Sequence, residues 1–298
     1  MLITLTFFLQ GFLSAIFAGF LGALMGVGGG IIMVPILTVY MGVPIQVAIA
    51  ASIASVIATS NAGGSGYLEQ RITNVKLAFF LEVSTTVGAL AGSIIALLLN
   101  SQILFLLFGV MLLYLTIVVF RARNLDEAKF ASGAFGKAKQ DRVTGYLDLK
   151  GSYHDAAEGK DVEYIVNGSL PGSVIAFFAG IGSGLLGIGG GVFKVSAMNK
   201  YMNVPMKVAV ATSKFMIGVT AAVSAVTYFA AGKLDFYVLA PVALGTTIGA
   251  TMGTRIMNRI KARNLKLLFT FIILYLAYTM LAHGLTAWGI NIPYLGGS

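Results

Sequence analysis

The sequence contains a glycine triplet twice, each time inside a long apolar stretch. The first triplet (Gly28–Gly30) and the second (Gly189–Gly191) lie 161 positions apart, and their flanking residues keep this offset without a gap. At the same offset, Tyr40–Pro44 aligns with Tyr201–Pro205. Chance apolar similarity does not preserve register at glycine, tyrosine and proline together, so the chain is an internal duplication.

The composition predicts a polytopic membrane protein. Of the 298 residues 57% are hydrophobic and 10% charged, with a mean hydropathy of +0.89, whereas soluble domains carry about a quarter charged residues. The net charge is +9, and eight basic residues between Arg121 and Glu163 are balanced by eight acidic ones. The excess of basic over acidic residues therefore lies outside this stretch, at the ends of other loops. This distribution favours a lipid bilayer and a small anion as partners and argues against nucleic acid.

Each copy divides into five apolar segments, so the expected fold is all-α with about ten helical segments. The segments are residues 3–26, 30–40, 45–66, 76–99 and 102–121, then 171–187, 191–202, 206–231, 235–259 and 263–288. A helix needs about 20 residues to cross the hydrocarbon core. The stretch after each triplet is shorter, which predicts two half-helices following two broken helices.

Basic residues in short loops predict the orientation. Residues 255–266 carry five Lys or Arg, whereas the equivalent stretch of the first copy, near Asn100, carries none. By the positive-inside rule these two loops lie on opposite sides, so we expect inverted repeats in the plasma membrane. Counting crossings places the central linker in the cytoplasm and both termini outside. The expected domains are a first transmembrane repeat (1–121), the linker (122–167) and a second repeat (168–298).

The linker is the one stretch with soluble character. Residues 146–153 and 161–166 alternate as two short strands around a glycine-containing turn, which predicts a β-hairpin. An isolated hairpin is marginally stable, so we expect it to pack on the membrane domain or on a second protomer. A structural role and a regulatory role both remain open for it, as does a homodimer.

The glycine triplets are expected to form a binding site. A helix break persists in hydrocarbon only where protein or a water-filled cavity satisfies the freed backbone groups. The N-terminus of the following half-helix carries free N–H groups and the positive end of the helix dipole, which suit an anion. Paired interruptions in two repeats indicate a transporter's substrate site. The alternative is that the glycines only allow close helix packing.

Ionisable residues inside membrane spans are functional by default, and three residues of the apolar segments are the candidates here. Lys194 follows the second triplet on the first turn of the half-helix, and Lys214 lies eight residues into its segment. Both are expected to bind the anion, although Lys194 could instead reach the interface. Glu82 is expected to couple transport to protons, or else to pair with Lys194, Lys214 or Lys76.

Hydroxyl residues recur at near-helical spacing in both copies and could line a path or serve as packing contacts. They are Ser52, Ser55, Thr59, Ser60 and Asn61 in the first copy, and Thr212, Ser213 and Thr220 in the second. The expected substrate-binding residues are therefore Gly28, Gly29, Gly30, Ser52, Gly189, Gly190, Gly191, Lys194, Thr212, Ser213 and Lys214.

The sequence does not favour an enzyme. It has no cysteine, and its two histidines, His154 and His283, lie far apart in the expected topology, so neither a metal cluster nor a Ser-His pair is expected. Asp235 is the one aspartate outside the linker, which excludes an aspartyl dyad. We expect no cofactor.

The residues around both triplets resemble the TauE/SafE sulfite exporter family, also called the toluene sulfonate uptake permease family. The matching runs are Gly22-Ala-Leu-Met-Gly-Val-Gly-Gly-Gly30, followed by Val34-Pro35, and Ser183-Gly-Leu-Leu-Gly-Ile-Gly-Gly-Gly191. The resemblance implies transport of sulfite, sulfonates, thiosulfate or small organic acids. Two residues depart from the family pattern. Ser196 stands where the pattern has a proline, and Lys214 stands after Ala211-Thr212-Ser213, where a neutral residue is expected.

The expected function is thus secondary transport of a small sulfur-containing or organic anion by alternating access. An anion channel could use the same broken helices. A membrane sensor or scaffold signalling through the linker is the third alternative.

Overall fold

The computed structural model describes residues 2–25, 29–121, 135, 138–155, 160–256 and 262–286. The helices of the first copy are α1 (Leu2–Met25), α2 (Gly30–Pro35), α3 (Ile45–Glu69), α4 (Val75–Leu98) and α5 (Ser101–Arg121). The linker contains α6 (Arg142–Tyr146), β1 (Lys150–Asp155) and β2 (Lys160–Ile165). The second copy has α7 (Ser169–Leu186), α8 (Gly191–Tyr201), α9 (Met206–Ala230), α10 (Phe236–Ile256) and α11 (Ala262–Thr286).

The helical membrane fold predicted from the sequence is confirmed. Each of the ten predicted apolar segments is helical, with bounds close to the predicted ones. Six helical stretches of the described residues are long and apolar enough to cross a bilayer: Leu5–Leu24, Val75–Leu98, Ser101–Val118, Ser169–Leu186, Met206–Ala230 and Phe236–Gly253. Leucine, valine and phenylalanine side chains remain exposed along these helices, as expected for surfaces that face lipid.

The two half-helices differ in their backbone. In the first copy α2 ends at Pro35, and the chain continues as a π-helix over Ile36–Tyr40. In the second copy Ser196 occupies the position of Pro35, and α8 runs as one α-helix through the whole stretch. Proline has no N–H to donate and its ring crowds the preceding turn, so it disturbs the regular hydrogen-bond ladder that serine permits.

The two copies pack on each other reciprocally. Helix α1 lies along α10 and α4 lies along α7, so the first segment of each copy contacts the fourth of the other. A Cβ atom on Gly88 would overlap the backbone of Phe177, and one on Gly249 would overlap the backbone of Ile16. These two contacts are equivalent at the offset of 161 positions. Helices α3 and α9 pack together, as do α5 and α11. The inverted orientation itself remains a prediction.

The linker forms the predicted hairpin, but its first strand begins later than predicted. Strand β1 pairs antiparallel with β2, from Lys150 opposite Ile165 to Asp155 opposite Lys160. Tyr146 was expected to open this strand and instead ends α6. The reason is local, because the side chain of Asp141 accepts the Thr144 N–H in a capping box that stabilises a helical turn.

The hairpin packs on the membrane helices of its own chain. Tyr153, Val162 and Tyr164 are buried in one apolar cluster with Leu77 of α4 and Met198 of α8. The linker also bonds to α7, because the Asp141 carboxylate accepts the Ser169 N–H at 2.7 Å. Burial would raise the pKa of Asp141, but the N–H groups of Thr144 and Ser169 outweigh it and hold the pKa at about 2.

Candidate functional site

Both predicted helix breaks are present. In the second copy α7 ends at Leu186, and Gly190 adopts a left-handed backbone with φ 62° before α8 begins. In the first copy α1 ends at Met25 and α2 begins at Gly30. Gly28 and the side chain of Asn61 lie outside the described residues.

The two breaks meet in the interior of the bundle. Ser52 of α3 donates its hydroxyl to the carbonyl oxygen of Gly187 at 3.0 Å, which joins the first copy to the break of the second. A Cβ atom on Gly30 would collide with that same carbonyl oxygen and with the Ser52 hydroxyl. Gly30 therefore allows the half-helix α2 to approach the opposite break closely.

We expect Gly30→Ala to lower the thermal unfolding midpoint in detergent. The added methyl group has to displace backbone as well as the Ser52 hydroxyl, and overpacking of this kind costs about 1–3 kcal/mol. Gly11→Ala in α1 is the matched control, because its Cβ would meet neighbours only at 3.5 Å or more. Equal midpoints for the two variants would contradict the close approach of the breaks.

A buried charged group lies beside the second break. The ammonium of Lys194 donates to the Thr220 hydroxyl at 2.7 Å, and that hydroxyl donates to Glu82 Oε1 at 2.7 Å. Lys194 Nζ lies 4.0 Å from Glu82 Oε2. We call Lys194, Thr220 and Glu82 the charged group; they come from α8, α9 and α4 respectively.

The charged group is sealed from solvent but not saturated with hydrogen bonds. Lys194 is 0% exposed and Glu82 8%. Glu82 Oε1 also accepts the Thr86 hydroxyl at 3.3 Å, whereas Oε2 is buried without a hydrogen-bond partner in the structure. A buried carboxylate oxygen ordinarily has a partner. Within the described residues, Oε2 thus faces Lys194 Nζ at 4.0 Å without a hydrogen bond.

The repeat-equivalent place between the two copies lacks this group. The residues at the offset of 161 positions from Lys194, Thr220 and Glu82 are Met33, Thr59 and Ala243. The lysine and the carboxylate are thus both replaced by apolar residues, although the scaffold around them is repeated. The carboxylate of Glu82 and the ammonium of Lys194 therefore occur together at only one of the two positions that the repeat relates.

The remaining predicted residues do not all converge on the break. Ser213 donates its hydroxyl to the Gly191 carbonyl oxygen at 3.3 Å and so contacts the second triplet. Thr212 instead accepts the Asn74 N–H at 3.1 Å. The Lys214 ammonium lies 5.0 Å from the centre of the Tyr67 ring and makes no ion pair within the described residues. Consecutive helix positions point about 100° apart, so the three residues have different surroundings.

We expect Lys214→Ala to weaken anion binding on the order of tenfold more than Lys200→Ala, measured by ligand-induced thermal shift. Both lysines lie over a tyrosine ring, at 5.0 Å for Lys214 and 5.2 Å over Tyr201 for Lys200, so the cation–π contact is matched. Lys200 is exposed, whereas Lys214 is partly buried on the helix that carries Thr220. Equal effects would remove Lys214 from the anion path.

Sequence reasoning did not assign roles to Thr220, Asn74 and Tyr164. Thr220 belongs to the polar run, but its partner Glu82 is 138 positions away and no local pattern indicates the contact. Asn74 has a local signature as the N-cap of α4, whose Leu77 N–H it accepts at 3.0 Å. Its contact with Tyr164 of the hairpin has no sequence signal.

Comparison with known proteins identifies the family. Residues 11–280 match the family model described as Sulfite exporter TauE/SafE. The chain is similar to the probable membrane transporter protein YunE of Bacillus subtilis (strain 168), with 25% identity over 90% of this chain and 95% of that protein. It is 26% identical to the probable membrane transporter protein MJ0441 of Methanocaldococcus jannaschii, over 86% of this chain and 88% of that protein.

No solved structure matches the chain significantly. The family match nevertheless spans both copies and the linker, and the relatives are covered over most of their length. The broken helices and the apolar spans agree with a membrane transporter. The chain belongs to the TauE/SafE sulfite exporter family of membrane transporters.

Proposed function

We propose that this protein is a secondary transporter that moves a small sulfur-containing or organic anion across the plasma membrane by alternating access. The observation that carries the proposal is the position of Lys194. Its ammonium is fully buried on the first turn of a half-helix that follows a glycine break, and its hydrogen-bond partner is a hydroxyl. A membrane-buried lysine in such a place marks an ion pathway.

The half-helix α8 supports binding of an anion. Gly190 is its N-cap and the Lys194 N–H is already bonded to the Gly190 carbonyl oxygen at 3.2 Å. The N–H groups of the residues between them belong to the first turn, where the helix has no acceptors of its own to offer. The start of α8 therefore combines three sources of positive potential: the free N–H groups, the positive end of the helix dipole and the Lys194 ammonium. Gly191, Ser213 and Ser52 border the same region.

The charged group supports coupling to protons. In this structure Glu82 occupies the neighbourhood of Lys194 that an incoming anion would use. Protonation of Glu82 at its unpartnered oxygen neutralises the competitor and leaves the lysine charge available to the substrate. An anion and a proton then enter the site together, which makes binding electrically neutral for a monovalent anion.

The packing supports the inverted topology that alternating access uses. Gly88 of α4 meets Phe177 of α7, and four residues later Gly92 meets Ile181, so these two helices run in the same direction. We propose that the break and the two turns after it each reverse the chain, so that the first and fourth segments of a copy are antiparallel. On this proposal the first segments of the two copies run in opposite directions. Together with the positive-inside rule, this packing supports a topology with the linker in the cytoplasm and both termini outside.

Reconstituted liposomes test the function. The purified protein is offered labelled sulfite, thiosulfate, sulfonates and dicarboxylates, with sulfite first because the family description contains it. Saturable uptake and counterflow are expected for at least one anion. Large unitary currents in planar bilayers would instead assign a channel, and the absence of flux for the whole panel would overturn anion transport.

A further inference from the structure

The linker hairpin is connected to all three helices that carry the charged group. Tyr164 of β2 accepts the side-chain N–H of Asn74 at 2.9 Å, at the start of α4. Asn203, just after α8, donates to the Ile165 carbonyl oxygen at 3.1 Å. Thr212 of α9 accepts the backbone N–H of Asn74. One residue, Asn74, therefore joins the hairpin, α4 and α9.

The contact at Asn74 is in register with the charged group. Glu82 lies eight residues beyond Asn74 on α4, and Thr220 lies eight residues beyond Thr212 on α9. Because both pairs are in contact, α4 and α9 run side by side in the same direction between them. Eight residues of helix rise about 12 Å, so the two contacts are separated by about two turns.

The space between the two contacts is filled with apolar side chains. Leu81, Met198 and Met216 are fully buried there, in the same cluster as Tyr164. Burial raises the pKa of Tyr164 to about 12, so its hydroxyl stays neutral at physiological pH. The hairpin and the charged group thus both adjoin one cluster of buried apolar side chains.

We infer that the hairpin is a positioning element for the charged group. Through Tyr164 and Asn74 it fixes α4 against α9, and so holds Glu82 at Thr220 and Lys194. The inference assigns a role in transport only in combination with the proposed function, but the helix positioning itself does not depend on the substrate.

The internal repeat provides the control for this inference. Asp235 is the repeat equivalent of Asn74, and its carboxylate likewise accepts an N–H, that of Tyr237 at 2.8 Å, at the start of α10. Asp235 is exposed and lies in the second copy, and its side-chain hydrogen bond within the described residues is with Tyr237 of α10. Substituting Asp235 removes a helix cap without touching the hairpin.

The first test uses a single cysteine, because the chain has none of its own. Met216→Cys places a thiol one turn before Thr220, at a site that is 0% exposed. Tyr164→Phe removes one hydroxyl and keeps the packed ring. We expect Tyr164→Phe to accelerate maleimide labelling of the thiol about fivefold. This is the factor that corresponds to the loss of one hydrogen bond that keeps the helices together.

Asp235→Ala should leave the labelling rate unchanged, and Asn74→Asp should restore slow labelling relative to Asn74→Ala. The carboxylate of Asn74→Asp can still cap Leu77 and accept the Tyr164 hydroxyl proton. Equal labelling with and without the Tyr164 hydroxyl would overturn the inference.

The second test measures transport in liposomes. Where the wild type transports an anion, Tyr164→Phe should raise KM about fivefold with little change in maximal rate, because the site is misplaced but still present. In a protein that already carries Thr220→Val, the contact between Lys194, Thr220 and Glu82 is broken, so Tyr164→Phe should no longer raise KM. Residues so far apart ordinarily have additive effects, so this loss would show that they are coupled. Additive effects would contradict positioning. Absent wild-type transport would count against the proposed function and leave the labelling result valid.

Discussion

Lys194→Met is expected to weaken anion binding strongly and, with it, transport. The variant introduces the residue that the first copy has at the equivalent position, Met33, so the side-chain volume is compatible with this scaffold. It removes the ammonium group that donates a hydrogen bond to Thr220. A charge-assisted interaction contributes about 1.5–3 kcal/mol, so affinity should fall by about 10- to 100-fold or more. Ligand-induced thermal shift and liposome flux measure the two losses.

The same variant leaves Glu82 buried without its counter-ion. Breaking a buried pair by removing one partner costs about 3–5 kcal/mol, so we expect a lower unfolding midpoint as well. The matched control is the double variant Lys194→Met with Glu82→Ala, which introduces the residues found at the repeat-equivalent positions, Met33 in the first copy and Ala243 in the second. It should regain stability and remain inactive. Wild-type anion binding by either variant would remove Lys194 from the site.

Glu82→Gln is expected to abolish the response of transport to an imposed pH gradient. Glutamine keeps the shape of the side chain and an oxygen that can accept the Thr220 hydroxyl, but it does not titrate. Exchange of anion for anion should continue, because Lys194 remains in place. Uptake into liposomes with a pH gradient, compared with counterflow without one, separates driven transport from exchange.

Glu69→Gln is the control for this substitution. Glu69 ends α3 and is exposed, so the same chemical change there should leave the pH response intact. A Glu82→Gln protein that still accumulates anion in proportion to the pH gradient would exclude Glu82 as the coupling residue.

The sequence was sufficient to predict the helices and the breaks. Apolar length determines which segments lie in the bilayer, and three glycines in a row remove the side chains that support a helix, so both signals are local. The different backbones of α2 and α8 follow from one substitution, Pro35 against Ser196. The start of the first strand was predicted wrongly because the capping box at Asp141 stabilises a turn of helix up to Tyr146.

The sequence by itself thus determined that the chain is duplicated, that each copy contains a broken helix, and that Lys194 follows the second break. It left three partners open for Glu82. The tertiary structure placed Glu82 with Lys194, whereas Lys76 lies 3.8 Å from Asp148 and Lys214 lies over Tyr67. The physical reason is that length and helix breaks are set by neighbouring residues, whereas the partner of a buried charge is set by how α4, α8 and α9 pack.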